Sequence, residues 1–290
     1  MRLILGLFFS VLVVGCQTTP TKVRESLDLD FAAMQSAAER PIQLTNKTVV
    51  VDVRKPFDYT LAHIPGSVNL NWEDFSDRNG RFKGRLKQDL NDEARRLALL
   101  GISPESDVVV VGYGAQGEGG EGRMAWTLAS MGVRKVQFVD FAYFKKLPLS
   151  NKIEPPRKNV PFWEVKTSHP LSASKEELLS VITAAAEGGT RTRILDVRSE
   201  REYFAKQGLG MGYSQPDIQA VHIPWTEFLT NHGRPNLQLV DQLSGIGIKP
   251  SDRLILISNQ GVRSATATMA LLAMGFTNSV NFAGGYQELK

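Results

Sequence analysis

The chain has 290 residues, of which 42% are hydrophobic and 22% charged, a composition typical of a globular protein long enough for two domains. Its formal net charge of +4 is spread along the chain without a basic run or stripe, which argues against nucleic-acid binding. Cys16 is the only cysteine, so the chain cannot form an intramolecular disulfide, and any function that needs a thiol in the folded part is excluded if Cys16 carries lipid.

The N-terminus has the features of a secretory signal. Arg2 is followed by an apolar run over residues 3–14, which is too short to span a bilayer comfortably, and then by Gly15 and Cys16. This segment resembles the lipobox of bacterial lipoproteins, in which the cysteine is lipidated and becomes the first residue of the mature chain. An ordinary signal peptide or a short anchor is the alternative. Because Gln17 is not the Asp that usually retains such proteins at the inner membrane, the resemblance implies an outer-membrane anchor facing the periplasm.

The rest of the chain divides into a tether, two similar halves and a linker. Residues 17–28 are polar and suit a tether, and residues 151–170 hold several prolines among charged residues and indicate an inter-domain linker. The linker separates a first domain at 29–150 from a second at 171–290.

Elements of the first half follow from apolar spacing. We predict helices over residues 31–39, 92–100 and 123–131, and buried strands over 48–54, 108–111 and 136–139.

The second half repeats the first. Asp-Val-Arg occurs at residues 52–54 and 196–198, and His-Ile-Pro occurs at 63–65 and 222–224. A buried strand at 254–257 matches the one at 108–111. Strands that alternate with helices in both copies predict an α/β fold, with a central parallel sheet flanked by helices in each domain.

The strand at 254–257 leads into a polar loop and then a helix that stops at Gly275. A strand, a tight loop and a helix leave the free N–H groups of the helix pointing at the loop, which is the usual construction of an anion site. Arg263 would add a fixed positive charge. The loop contains no cysteine, histidine or acid. The predicted anion-binding loop consists of Ser258, Asn259, Gln260, Gly261, Val262, Arg263 and Ser264.

The repeated motifs resemble the opening signature of rhodanese (sulfurtransferase) domains, and the resemblance covers residues 28–290. In that family the loop after the fourth strand begins with a nucleophilic cysteine, which carries sulfur as a persulfide, and ends with an arginine. Here Ser258 stands at the cysteine position of the second domain and Gly112 at that of the first. Counting back from the shared Met-Gly makes the first loop three residues longer than the second and aligns Arg263 with Gly120. The degenerate loop of the first domain contains Gly112, Gly114, Gly117, Gly120 and Arg123.

The resemblance therefore implies a rhodanese-like lipoprotein that lacks the thiol for sulfur transfer. We expect a binding module that accepts a small oxyanion or an acidic side chain of a protein partner, with no cofactor and no metal. The residues that recur in both copies are expected to brace the fold: His63, His222, Asp52, Arg54, Asp196 and Arg198.

Two alternatives remain open. A sulfurtransferase-like or phosphatase-like enzyme could use Ser258 and Arg263 if a general base lies within hydrogen-bonding reach of the serine. Dinucleotide binding is the lesser alternative, because Gly112, Gly114 and Gly117 form a G-x-G-x-x-G motif after a strand, with Asp140 at the end of the next strand. Against it, the motif follows the fourth strand of its domain, and the second copy lacks these glycines.

Overall fold

The computed structural model describes residues 29–77, 84–155, 158–166, 170–186, 191–204 and 218–290. The predicted signal at 1–16 with Cys16 and the tether at 17–28 lie outside the described residues. Within these ranges no helix is long and apolar enough to cross a membrane.

The first domain is built on a parallel sheet of four strands in the order β2-β1-β3-β4. The two central strands are rich in valine and are buried on both faces, as expected for a sheet covered by helices on each side. The strands are β1 (Thr48–Asp52), β2 (Val68–Asn69), β3 (Asp107–Gly112) and β4 (Lys135–Asp140). The helices are α1 (Phe31–Glu39), α2 (Pro56–Leu61), α3 (Asn91–Leu99) and α4 (Gly120–Ser130).

The second domain has the same strand order, β6-β5-β7-β8, again with all strands parallel. Its strands are β5 (Arg193–Asp196), β6 (Val221–His222), β7 (Leu254–Ile257) and β8 (Ser279–Asn281). Its helices are α5 (Lys175–Ala186), α6 (Glu200–Phe204), α7 (Leu239–Gly245), α8 (Val262–Ala273) and α9 (Gly285–Glu288). The predicted tandem α/β architecture is confirmed.

Helices α4 and α8 pack directly against each other and join the two domains. Nearly every residue of both helices is buried, and one apolar cluster runs through both domains. Gly122 lies so close to Thr266 that a methyl group at position 122 would collide with that side chain. Because each helix follows the loop at the carboxyl end of a central strand, this packing brings the two loops together.

The described part of the predicted linker is held by the first domain. The Val160 N–H donates to the Ala98 carbonyl at 3.0 Å, and Trp163 Nε1 donates to the Met131 carbonyl at 2.7 Å. These bonds fix residues 158–166 along α3 and the end of α4, so this stretch is part of the packed structure.

Candidate functional site

Buried ion pairs close the ends of the central strands β1 and β5. Arg54 Nη2 lies 2.7 Å from Asp52 Oδ2, and Arg198 makes the same contact with Asp196 in the second domain. Tyr286 also donates to Asp196 Oδ2 at 2.9 Å. These charged side chains pair with each other inside the fold, in agreement with the bracing role expected from the sequence.

The two histidines of the repeated turn contact backbone carbonyls. The His63 ring stacks on Tyr59 with centroids 4.1 Å apart, and its Nδ1 lies 2.8 Å from the Tyr59 carbonyl. The His222 ring stacks on Tyr203 at 4.0 Å, and its Nε2 lies 2.9 Å from the Arg198 carbonyl. Both histidines therefore have structural partners, as expected from the sequence.

Ser258 is the first residue of the second-domain loop and is only 1% exposed. Its Oγ accepts hydrogen bonds from the N–H groups of Gly261 at 3.1 Å and Ser264 at 3.3 Å. Ser264 Oγ lies 3.0 Å from Ser258 Oγ and donates its own proton to Asn281 Oδ1 at 2.7 Å. The Ser258 hydroxyl must therefore donate to Ser264 Oγ, so its donor and acceptor capacity is used inside the loop.

Arg263, at the start of α8, is paired with a carboxylate from α6. Its two terminal nitrogens contact the two oxygens of Glu202 at 2.7 and 2.9 Å, and Asn259 Nδ2 donates to Glu202 Oε1 at 2.6 Å. Burial alone would raise the pKa of Glu202, but hydrogen bonds from Arg263 and Ser199 and the charge of Arg263 outweigh it and lower the pKa to about 2. Glu202 thus binds two side chains of the loop, Arg263 and Asn259, whereas the N–H groups of Gly261 and Ser264 donate to Ser258 Oγ.

A glutamate side chain fills the corresponding place in the first domain. The Glu121 carboxyl lies against the Cα of Gly112, where any added methyl group would collide with it. N–H groups of Glu121 itself and of Gly114 donate to the carboxyl, whereas Oε1 has no hydrogen-bond partner among the residues that the structure describes. Glu121 is 1% exposed, and this burial, with a smaller contribution from the charge of Asp140, raises its pKa to about 7.

The structure moves the alignment of the two loops by one residue. Both helices begin after a left-handed glycine, Gly119 with φ 80° before α4 and Gly261 with φ 74° before α8. Matching these glycines aligns Arg263 with Glu121 and not with Gly120. The first loop is then four residues longer than the second, and α4 is one residue shorter than α8. Counting back from Met-Gly gives only the net result of these two differences, which is the three residues found from the sequence.

Arg123 turns away from the loop into the core. It is completely buried, with its guanidinium carbon 4.5 Å from the Trp126 ring centroid and 5.3 Å from that of Trp72. Its Nη2 donates to Ser76 Oγ at 3.2 Å, while Nε and Nη1 have no hydrogen-bond partner within the described part of the chain. Burial lowers the pKa of Arg123 to about 9. The side chain does not take the place that Arg263 has in the second domain.

The glycine motif of the first loop does not form a dinucleotide cradle. Among the described residues it follows β3, the third strand of the first domain in chain order, and not the fourth strand expected from the sequence. Residues 114–116 form a short 3-10 helix, and α4 begins only at Gly120, beyond the motif. The Glu121 carboxyl already fills the space beside Gly112, and the Asp140 carboxyl lies against Gly114. Two acids at this point would repel a pyrophosphate, so the structure gives no support to dinucleotide binding.

The two loops border a common cavity of about 1040 Å³, which we call the interdomain cleft. Its lining carries five carboxyl groups against two basic side chains among the described residues. The aromatic residues Trp72 and Tyr113 also line it, and the Tyr113 hydroxyl donates to the Asp58 carboxylate. The charged lining residues are Asp58, Glu73, Glu118, Glu121, Glu202, Lys55 and Arg263.

The strand order, the paired domains and the strand–loop–helix at each sheet edge define a tandem α/β protein with two equivalent loops. A family model for the rhodanese-like domain matches residues 35–145 and 180–290. The chain therefore belongs to the rhodanese-like family, and its only cysteine lies outside both matched regions.

Individual proteins show the same relationship. The mitochondrial protein HIGH ARSENIC CONTENT 1 of Arabidopsis thaliana is 31% identical over 123 residues, which are 42% of this chain and 66% of that protein. The structure is similar to a complex of an EanB variant with hercynine (TM-score 0.68, 17% identity, 85% of this chain and 62% of that one). It is also similar to SseA from Escherichia coli, a 3-mercaptopyruvate sulfotransferase of the rhodanese fold (TM-score 0.62, 21% identity, 81% and 91%). At these identities the solved structures show the fold alone, and the chain spans less than two thirds of the plant protein and of EanB.

Proposed function

We propose that this rhodanese-like chain is a binding module without sulfurtransferase activity, carried on the outer membrane by lipid on Cys16 and facing the periplasm. The observation that carries the proposal is the position of Ser258. Its hydroxyl oxygen receives the Gly261 and Ser264 N–H groups, where a thiolate of the family would receive them.

A serine at this position has no route to the family reaction. A hydroxyl oxygen cannot hold a transferable sulfane sulfur, and a serine is a weak nucleophile without an adjacent base. Within the described ranges, the hydrogen-bond partners of Ser258 Oγ are two backbone N–H groups and the hydroxyl of Ser264. No imidazole or carboxylate is among them, so the general base that the enzyme alternative requires is not found there.

Support for anion binding comes from the Glu202 carboxylate, which contacts the loop side chains Arg263 and Asn259. A small oxyanion, or the acidic side chain of a partner, would compete with Glu202 for Arg263 and Asn259. The intramolecular carboxylate is present at a high effective concentration, so an external anion binds weakly until Glu202 is removed.

A thermal-shift titration of the Glu202→Gln variant with sodium sulfate and sodium phosphate tests this proposal. We expect both anions to raise the Tm of the variant more than that of the parent, since only the variant leaves Arg263 without a carboxylate. Sodium chloride at matched ionic strength is the salt control, and Asp92→Asn, at an exposed acid away from the loop, is the charge control. Equal shifts in parent and variant would show that the loop is not an anion site.

The lipid anchor rests on the sequence of residues 12–16 and has its own test. Metabolic labelling with radioactive palmitate should mark the full chain in a bacterial host and fail to mark a Cys16→Ser variant. Labelling of both, or of neither, would remove the anchor from the proposal.

A further inference from the structure

One carboxylate oxygen in the interdomain cleft lacks a partner. Glu121 lines the cleft and is 1% exposed, and its Oε1 makes no hydrogen bond to any residue in the described ranges. Arg263, the residue aligned with Glu121 in the second domain, pairs with Glu202. Among the residues that the structure describes, no ion pair involves Glu121, and its Oε1 has no hydrogen-bond partner. A buried acceptor without a partner is costly, and an ionised one more so, which makes this oxygen a place where a ligand can supply what the fold does not.

The residues around Glu121 determine whether that ligand is positively or negatively charged. Of the two basic side chains that line the cleft, Arg263 is paired with Glu202 and the other is Lys55. The remaining acidic residues of the lining are Asp58, Glu73, Glu118 and Glu121, so acids outnumber bases around Glu121. A group with positive charge is attracted to this lining, and a group with negative charge is repelled.

The donors also favour an organic cation. No group of three or more histidine, cysteine, aspartate or glutamate side chains in the described part of the chain is arranged to hold a metal ion. Trp72 and Tyr113 add aromatic surface to the lining, against which the alkyl chain or the planar head of a basic side chain can pack. With about 1040 Å³, the cleft is larger than one side chain and has room for part of a peptide.

We propose that the interdomain cleft binds a basic side chain of a protein partner, arginine or lysine, and that Glu121 is the carboxylate that receives it. The proposal rests on the proposed function as a binding module, and it names the class of partner. The site differs from the Ser258 loop, whose cation is already paired.

Isothermal titration of the full chain with short peptides tests the proposal, at a pH above the raised pKa of Glu121 of about 7 so that its carboxyl group is ionised. The probes are acetyl-Gly-Arg-Gly-amide and acetyl-Gly-Lys-Gly-amide, and their neutral counterparts contain citrulline and acetyl-lysine. We expect a basic peptide to bind and its counterpart not to bind. Glu121→Gln should weaken binding about tenfold, since it removes one charged hydrogen bond. Asp92→Asn, which changes the net charge equally but lies outside the cleft, should bind as the parent does.

A second variant keeps the proposal testable in case the Glu121→Gln protein does not fold. Glu118→Gln changes an exposed residue of the cleft lining, and we expect a smaller loss of affinity, of about twofold. Absence of binding by both basic peptides, or unchanged affinity in Glu121→Gln, would overturn the proposal. Stronger binding of an acidic peptide, acetyl-Gly-Glu-Gly-amide, would overturn it as well. In each of these cases the absence of sulfurtransferase activity would be unaffected, so the two proposals can fail separately.

Discussion

The two loops place different atoms at equivalent points of the fold. In the second domain this point is occupied by the Ser258 hydroxyl, which accepts two hydrogen bonds and donates one, all within the loop. In the first domain it is occupied by the Glu121 carboxyl, which reaches the place because Gly112 has no side chain. The Ser258 hydroxyl is therefore fully hydrogen-bonded, whereas Glu121 Oε1 has no hydrogen-bond partner among the described residues.

The acids of the repeated signature differ in the same way. Glu202 and Asp58 occupy matching positions of the two copies, four residues after the arginine of Asp-Val-Arg. Glu202 pairs with Arg263, while Asp58 accepts from the Tyr113 hydroxyl. A repeated fold can therefore keep its shape at both loops while each loop satisfies its backbone groups with a different side chain.

Substitution of the two left-handed glycines should give the largest effect. Alanine at Gly261 combines φ 74° with a backbone collision at the Ala283 carbonyl, and we expect a loss of about 4 kcal/mol in the free energy of unfolding. Alanine at Gly119 has one close side-chain contact, with the buried Thr266 Oγ1 at 2.6 Å, in place of a backbone collision, and we expect a loss of about 2 kcal/mol in the free energy of unfolding. Urea denaturation measures both values. Equal losses would mean that the two loops are equally tight.

Glu121 should make the stability depend on pH. The raised pKa means that the folded state binds the proton of Glu121 more tightly than the unfolded state does. The contribution of this protonation to the free energy of unfolding is therefore full below pH 4.5 and is lost as pH rises to about 7. This shift corresponds to about 3 kcal/mol. We expect Glu121→Gln to gain stability relative to the parent between pH 4.5 and pH 8, measured by denaturation at several pH values. A constant difference across that range would contradict the buried, unpaired carboxyl.

Glu202 should show the opposite sign and a smaller effect. Its lowered pKa gives a contribution that is present above pH 4.5 and is lost as pH falls towards 2. Since the Glu202 side chain is 33% exposed, solvent screens the pair, and we expect Glu202→Gln to cost about 1 kcal/mol at pH 7. The same denaturation series checks this value, with Asp92→Asn as the surface control. A gain of stability at pH 7 would show that the pair with Arg263 contributes nothing.

The architecture could be predicted from the sequence because burial on two faces leaves a local signature. The apolar run at residues 254–257 coincides with β7, and the helix predicted at 31–39 coincides with α1. The start of α4 was predicted at residue 123 and lies at Gly120, since the glycines before it gave no periodic signal.

The charges of the site could not be predicted in the same way. Glu202 meets Arg263 across 61 positions of the chain, and Glu121 reaches Gly112 only after α4 has folded back on its strand. Both contacts depend on tertiary packing, and no spacing in the sequence reports them. The acid before Tyr203, which repeats the acid before Tyr59, was the one available signal for Glu202.

The most direct test of the central claim is a thiosulfate–cyanide assay of the full chain in a Cys16→Ser background, beside the same chain with Ser258→Cys. We predict no thiocyanate above the blank from the first protein and measurable turnover from the second, because the Gly261 and Ser264 N–H groups would then receive a thiolate. Turnover by the chain without any cysteine would contradict the claim that the thiol is what this rhodanese-like protein lacks. Silence of the Ser258→Cys protein would contradict the claim that Ser258 occupies the nucleophile's place.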